Sequence, residues 1–224
     1  MNSFKTLIGK NPSLNLALRL AVILAGLFFM ANGILLIINS GLGANPWGVL
    51  HLGISYKTGI RLGYIMQIVS LLLICFSFLL GIKPRLGTFF AVFFIGIFVN
   101  MIENLAYVPY PEAFYAKITM NLLGIALMGT GTALYIRSNL GAGPRDSLML
   151  GLVKRTGRRT AMVRTIMEVT VTSMGYILGG PVGLGTLLFC ILVGWFVELG
   201  YYLFRPLTHL FFLENKSLPE RLPG

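Results

Sequence analysis

The sequence predicts an all-α membrane protein of six transmembrane helices. They form two inverted-topology three-helix repeats, each with one further short, broken or re-entrant helix. Three observations predict it. The chain is 56% hydrophobic and 11% charged, where a soluble chain has about a quarter of its residues charged. It matches itself without a gap at a displacement of 98 positions: Ser40-Gly41-Leu42-Gly43-Ala44-Asn45-Pro46 answers to Ser138-Asn139-Leu140-Gly141-Ala142-Gly143-Pro144. Its 18 basic residues also segregate, falling between alternate apolar runs.

The apolar runs lie at about Leu16 to Ile38, Leu62 to Leu80, Gly87 to Tyr107, Ile118 to Ile136, Ala161 to Leu178 and Leu184 to Phe204. Each is close to the ~20 residues that cross ~30 Å of hydrocarbon as helix, and far longer than the strands of a barrel. The repeat register carries Thr58-Gly59 onto Thr156-Gly157, Leu86-Gly87-Thr88 onto Leu184-Gly185-Thr186, and Gly96 with Phe98 and Val99 onto Gly194, Phe196 and Val197. Chance similarity of apolar segments does not hold Gly, Pro and Thr in one register for so long, so the chain reads as a duplication. The division is a cytosolic segment at 1–15, repeat 1 at 16–107, repeat 2 at 108–204 and a cytosolic tail at 205–224, with one membrane domain overall.

Between the first and second runs of each repeat, Gly41 to Ala44 should break the preceding helix. Asn45 can cap a new one and Pro46 suits its first position; Gly141 to Pro144 repeats the scheme with Gly143 at the cap. The new helix is expected to reach about Ser55, and Val153 in the second copy, some ~15 Å at 1.5 Å per residue. That covers half the hydrocarbon layer. The expectation is a piece that dips in and returns, its N–H groups and positive dipole end directed inward, rather than an amphipathic linker lying flat at the interface.

Three spans per repeat make the second repeat enter from the opposite side. With the N-terminus inside, every basic residue of the 18 except Lys57, Arg61 and Lys117 falls on the cytosolic side. Matched loops also exchange charge: Lys83-Pro84-Arg85 becomes Pro181-Val182-Gly183, while the lightly basic turn Lys57 to Arg61 becomes the strongly basic turn Lys154 to Arg159. The net charge of +11 then suits anionic lipid at the cytosolic face, and a nucleic-acid partner is unnecessary. The first run is too long for the core of a signal peptide and belongs to a repeat. Cys75 and Cys190 are not repeat mates and read as inert packing residues, and the stretch Leu207 to Leu213 with His209 reads as interfacial. No nucleotide-binding loop, nucleophile and base pair, or metal-ligand spacing occurs, so neither an enzyme nor a cofactor is expected.

Polar residues inside the spans are costly in hydrocarbon and so are functional candidates. Glu198 is the first, one turn after Gly194, with its mate Asn100 one turn after Gly96; it reads as a cavity-lining ligand or proton site, or as a tie to Arg145 or Arg164. Glu168 stands four residues after Arg164, where the two can simply pair. Arg145 and Asp146 correspond to Trp47 and Gly48, giving a cavity that is aromatic and apolar on one side and charged on the other. Asn32 is placed to bridge backbone opened by the Gly-rich break, His51 reads as interfacial or packed, and Glu103 and Asn104 lie where water reaches them. Asn45, Pro46, Gly143 and Pro144 would shape the helix mouths, with Trp47 on the aromatic side of the cavity.

The paired Leu-Gly-Ala-x-Pro segments followed by Lys/Arg-Thr-Gly resemble the YczE/YitT family of bacterial integral membrane proteins. The resemblance runs from Leu16 to Phe204 and rests on Gly43-Ala44-Asn45-Pro46-Trp47-Gly48 and Gly141-Ala142-Gly143-Pro144-Arg145-Asp146. It implies a multi-pass protein of the bacterial cytoplasmic (inner) membrane and transfers no active-site residue. The function expected from the residues is transport of a small solute by alternating access, with the site where the repeats meet. A pore-type channel is the first alternative. A non-transporting accessory subunit of a biosynthetic or energy-coupling complex is the second, and either a homo-oligomer or a partner subunit is compatible with the chain.

Overall fold

A computed structural model describes residues 12–205, with side chains from residue 15 onward. Among the described residues there are eight helices and no strand: α1 Pro12–Asn39, α2 Pro46–Thr58, α3 Leu62–Leu79, α4 Leu86–Leu105, α5 Phe114–Arg137, α6 Pro144–Thr156, α7 Thr160–Ile177 and α8 Leu184–Leu203. The expectations for the N-terminal segment, for Leu207 to Leu213 and for His209 fall outside them. Displaced by 98 positions, α2, α3 and α4 fall on α6, α7 and α8 residue for residue. The reason is local: both copies carry the same breaks, with proline opening α2 and α6 and a left-handed glycine, Gly59 or Gly157, closing them. The short helices run to Thr58 and Thr156, about a turn longer than expected.

Five helical stretches are long and apolar enough to cross a membrane: Asn15–Asn39 of α1, together with α3, α4, α5 and α8. The sixth expected span, α7, is a helix of 18 residues like its mate α3, but Arg164, Glu168 and the threonines at 165, 170 and 172 dilute its apolar character. Large apolar side chains such as Leu79, Phe78, Trp195 and Tyr202 cover the outside of the bundle, a surface suited to hydrocarbon rather than water.

The centre of the bundle is the antiparallel pair α1 and α5. A β-carbon on Gly26 would stand 2.8 Å from the Gly131 carbonyl, and one on Gly33 would stand 2.6 Å from the Gly124 carbonyl, so only glycine lets the two backbones meet here. Gly26 and Gly33 have Gly124 and Gly131 as repeat mates, and each touches the mate of the other.

Around this pair the halves lock across one another. The break after α1 is held by the start of α8: Gly185 N–H donates to the Leu42 carbonyl at 2.7 Å and the Thr186 hydroxyl to the Ala44 carbonyl at 2.7 Å. The break after α5 is held in the same way by the start of α4, Gly87 N–H to the Leu140 carbonyl at 2.8 Å and Thr88 hydroxyl to the Ala142 carbonyl at 2.7 Å. These bonds satisfy backbone that two interrupted helices would otherwise leave unpaired in the interior. Gly43 and Gly141 adopt φ of 107° and 135°, and a β-carbon on either would come within 2.6 Å of the opposite half.

The two halves differ at one seam. In the first, α3 and α4 are in backbone contact: a β-carbon on Gly63 would overlap the Gly96 carbonyl. The contact is fastened by Gly63 N–H to Asn100 Oδ1 at 2.9 Å, Gln67 Nε2 to the Phe93 carbonyl at 2.9 Å and Arg61 to Asn104 Oδ1 at 2.6 Å. In the second half α7 and α8 stand apart. Among the described residues no hydrogen bond or ion pair joins them, and Gly194, the mate of Gly96, has open space where a β-carbon would go.

Candidate functional site

Proline at the first position and an extended residue before it, Asn45 (ψ 157°) or Gly143 (ψ 164°), aim the N-terminal turns of α2 and α6 at each other. Both turns open onto a central cavity of about 150 Å³. Its lining is built largely of repeat mates: Pro46 with Pro144, Trp47 with Arg145, Met30 with Met128, Ser70 with Glu168, Ala91 with Phe189 and Ile95 with Val193. The cavity therefore sits where the two halves meet. The remainder of the wall, Leu27 excepted, comes from the second half, including Thr132, Tyr135, Arg164 and Val197. The mates of those four, Ile34, Ile37, Met66 and Val99, are buried in packed structure.

The cavity's charged groups are Arg145, Asp146, Arg164 and Glu168. Arg164 Nε meets Glu168 Oε1 at 3.2 Å, the pairing that their four-residue spacing suggests. The Arg145 guanidinium lies over the ring of buried Trp47, 5.3 Å from its centroid, a cation–π contact of favourable geometry. Arg145 makes no hydrogen bond or ion pair among the described residues, and neither does Asp146. Asp146 is in the first turn of α6 and leans back on the helix start, its Oδ2 3.4 Å from where a Gly143 β-carbon would be. The α2 N-terminus has no acid in its first turn.

Seven of the sequence-derived candidates, Pro46, Trp47, Gly143, Pro144, Arg145, Asp146 and Glu168, thus share one wall. Glu198 does not. It is exposed and unpaired to either arginine, on the side of an adjoining cleft of about 290 Å³ between α7 and α8 that shares Arg164, Glu168 and Val193 with the cavity. The close helix approach expected beside Gly194 is absent. Asn100 is occupied in the α3–α4 seam. Asn32 bonds the Phe28 carbonyl one turn back and accepts from the Tyr107 hydroxyl, away from the break it was expected to bridge. Asn45 is buried at the N-cap position, but its side chain makes no capping bond and its Oδ1 has no partner. His51 is buried beside Trp47, and its Nε2 is also without a partner. Glu103 and Asn104 belong to the Arg61 cluster. Cys75 and Cys190 are exposed rather than packed, and Cys190 lines the cleft.

Sequence reasoning missed Tyr135, whose hydroxyl donates to the Gly141 carbonyl at 3.2 Å and stands in the cavity wall. A signal existed, since a tyrosine there replaces Ile37 of the first copy. Among the described residues no three His, Cys, Asp or Glu side chains gather as metal ligands.

Crossed helix breaks, a lipid-suited surface and a cavity between matched halves define a multi-pass all-helical membrane protein. The chain belongs to a family of unknown function (DUF6198), whose family model matches residues 17–201. It is similar to an uncharacterized protein of Haemophilus influenzae, at 35% identity over 85% of this chain and 87% of that one. It is also similar to two Bacillus subtilis proteins. The uncharacterized membrane protein YczE is 34% identical over 80% of this chain and 83% of its own length, and the uncharacterized protein YyaS is 31% identical over 85% and 94%. No solved structure matches.

Proposed function

We propose that the protein is a transporter of a small solute in the bacterial inner membrane, working by alternating access between two inverted three-span repeats. The α2 and α6 segments would be the re-entrant pieces and α7 the sixth span. The observation that carries this reading is that matched seams stand in opposite states: α3–α4 closed and fastened, α7–α8 apart beside a central cavity. Antiparallel α1 and α5, meeting through exchanged glycine mates, are the contact expected of repeats related by an axis in the membrane plane. Segregation of the basic residues supports an orientation with both termini cytosolic. On that orientation the cavity wall extends from mid-membrane toward the cytosol, so the described state is inward-facing. Exchanging the two seams would give the outward-facing one.

With no nucleotide site in the chain, an ion gradient or an associated subunit would supply the drive, and Glu198 in the cleft is the candidate proton or cation site. The test is cross-linking of cysteine pairs at mate positions, Gln67 with Phe93 and Thr165 with Ile191, in proteoliposomes that also report solute flux. Alternating access requires that locking either pair stops flux, and that the locked forms expose the cavity to opposite sides. Flux that continues with both seams locked points to a channel, and absence of flux with a stably bound partner protein points to the accessory role. Labelling of cysteines at Lys57 and Arg155 from the same face of the membrane would remove the inverted repeat altogether.

A further inference from the structure

We infer that the central cavity takes a small zwitterion of the neutral α-amino acid class: an anionic and a cationic group on neighbouring atoms, with a compact apolar remainder. The inference deepens the transport reading and rests on it for its consequence, though not for its chemistry.

The formal charges in the wall cancel, Arg145 and Arg164 against Asp146 and Glu168. Two of them, Arg164 and Glu168, already satisfy each other at 3.2 Å. The other two are adjacent in sequence, line the same space, and yet neither has a hydrogen bond or an ion pair among the described residues. Both are part-buried in the cavity wall, and a charge drawn partly out of water is stabilised by such a partner. One ligand bearing both signs gives each its partner and leaves the interior neutral. A simple anion would answer Arg145 but add a net negative charge beside Asp146 and Glu168, and a simple cation would do the reverse beside Arg145 and Arg164.

Geometry assigns the ends. Arg145 lies over Trp47 beside the start of α2, whose first turn has no acid, so the positive lobe for a carboxylate lies there. Asp146 supplies the acceptor for the ammonium group. Much of the remaining wall is apolar and deformable, with Met30, Met128, Met149 and Met167 among its residues beside Ser70, Thr132 and Tyr135, which suits an aliphatic side chain without fixing its shape. A cavity of about 150 Å³ accommodates roughly six to eight non-hydrogen atoms, since benzene fills one of that volume. Valine is of that size.

The test separates binding from flux. Radiolabelled valine is bound to the detergent-purified full chain, with 3-methylbutanoate and 2-methylpropylamine, which lack one or the other charged group, as competitors; uptake of valine into proteoliposomes is measured in parallel. The expected result is saturable valine binding that neither analogue displaces at tenfold excess. Arg145→Gln and Asp146→Asn should each weaken it by roughly tenfold or more, while Lys154→Gln, exposed at the end of α6 and outside the cavity, binds as wild type. Displacement by one analogue alone, or stronger stabilisation of the wild-type chain by that analogue in a melting assay, overturns the zwitterion class whether or not the variants fold. Absence of valine binding and of any valine-induced shift in melting overturns it as well. Valine binding without valine flux upholds the class and counts against transport; flux of another solute without valine binding does the opposite.

Discussion

The α3–α4 seam and the α7–α8 seam are built from matched residues and stand in opposite states. Gly96 and Gly194 occupy the same register, and Gly63 has Ala161 as its mate, so small residues are available on both sides. Only the first seam closes. The difference lies in what fastens it: Asn100, Gln67 and Arg61 each reach across, whereas their mates Glu198, Thr165 and Arg159 make no bond between α7 and α8. Small residues permit close approach of helices in a membrane but do not compel it. Hydrogen bonds across the seam supply the bias, and a seam with fewer of them is the one that stands open.

The sharpest way to break this comparison is to fill the two glycines. Gly96→Leu drives a side chain into the Gly63 carbonyl and Gln67 and should cost roughly 3 kcal/mol or more, lowering the melting temperature of the purified protein markedly. Gly194→Leu enters open space and should leave melting nearly unchanged, within about 0.5 kcal/mol. On the transport proposal it nevertheless stops flux, because the second seam can no longer close. Equal melting of the two variants would mean that the seams are not different in kind.

A smaller effect is expected one turn further along. Asn100→Ala removes the acceptor of a buried Gly63 N–H and should cost about 1–3 kcal/mol. Glu198→Gln, exposed and unpaired, should melt as wild type while removing any pH dependence of flux that Glu198 provides. Pronounced destabilisation by Glu198→Gln would return that residue to a structural role.

At the exposed end of the first seam, Arg61→Gln loses a contact to Asn104 at 2.6 Å and a long ion pair with Glu103 at 3.6 Å, worth about 0–1 kcal/mol together. The consequence should appear mainly as faster cross-linking at a widened α3–α4 seam. The smallest effect sharpens the comparison without a substitution. Cys190 in the cleft should react with a water-soluble maleimide faster than Cys75 on the outer surface of α3, and lose that advantage when the α7–α8 seam is locked.

The helices were legible in the sequence because their signals are local. The Gly-Ala-x-Pro breaks, the proline starts and the Thr-Gly ends fix α2 and α6, and apolar runs fix the rest to within a turn or so, with α1 reaching back to Pro12. Much of the cavity was legible too, since Trp47, Arg145, Asp146 and Glu168 stood out as costly or bulky at matched positions. What escaped was state and partner. Nothing in the identities of Gly96 and Gly194 says which will be buried, and Glu198, set well inside its span, gave no sign that its neighbour helix would be withdrawn. The sequence places Asn32 to bridge the Gly-rich break and Asn100 opposite Glu198 beside Gly96, and it misses their actual partners because Tyr107 and the Gly63 N–H come from turns and helices distant in sequence.

The glycine crossing of α1 and α5 has a consequence beyond packing. Each half contributes one glycine pair seven positions apart, and the first glycine of one half meets the second of the other, so the contact surface is complementary to itself. The starts of α4 and α8 obey the same rule, each holding the break of the opposite half with the bonds that its own break receives. A single half therefore owns both sides of its principal interface. On the inverted-repeat proposal, two separate copies of one half would own the complementary glycines and threonines needed to assemble without a linker. The chain between Leu105 and Phe114 then joins two halves whose shared surface each half already carries in full.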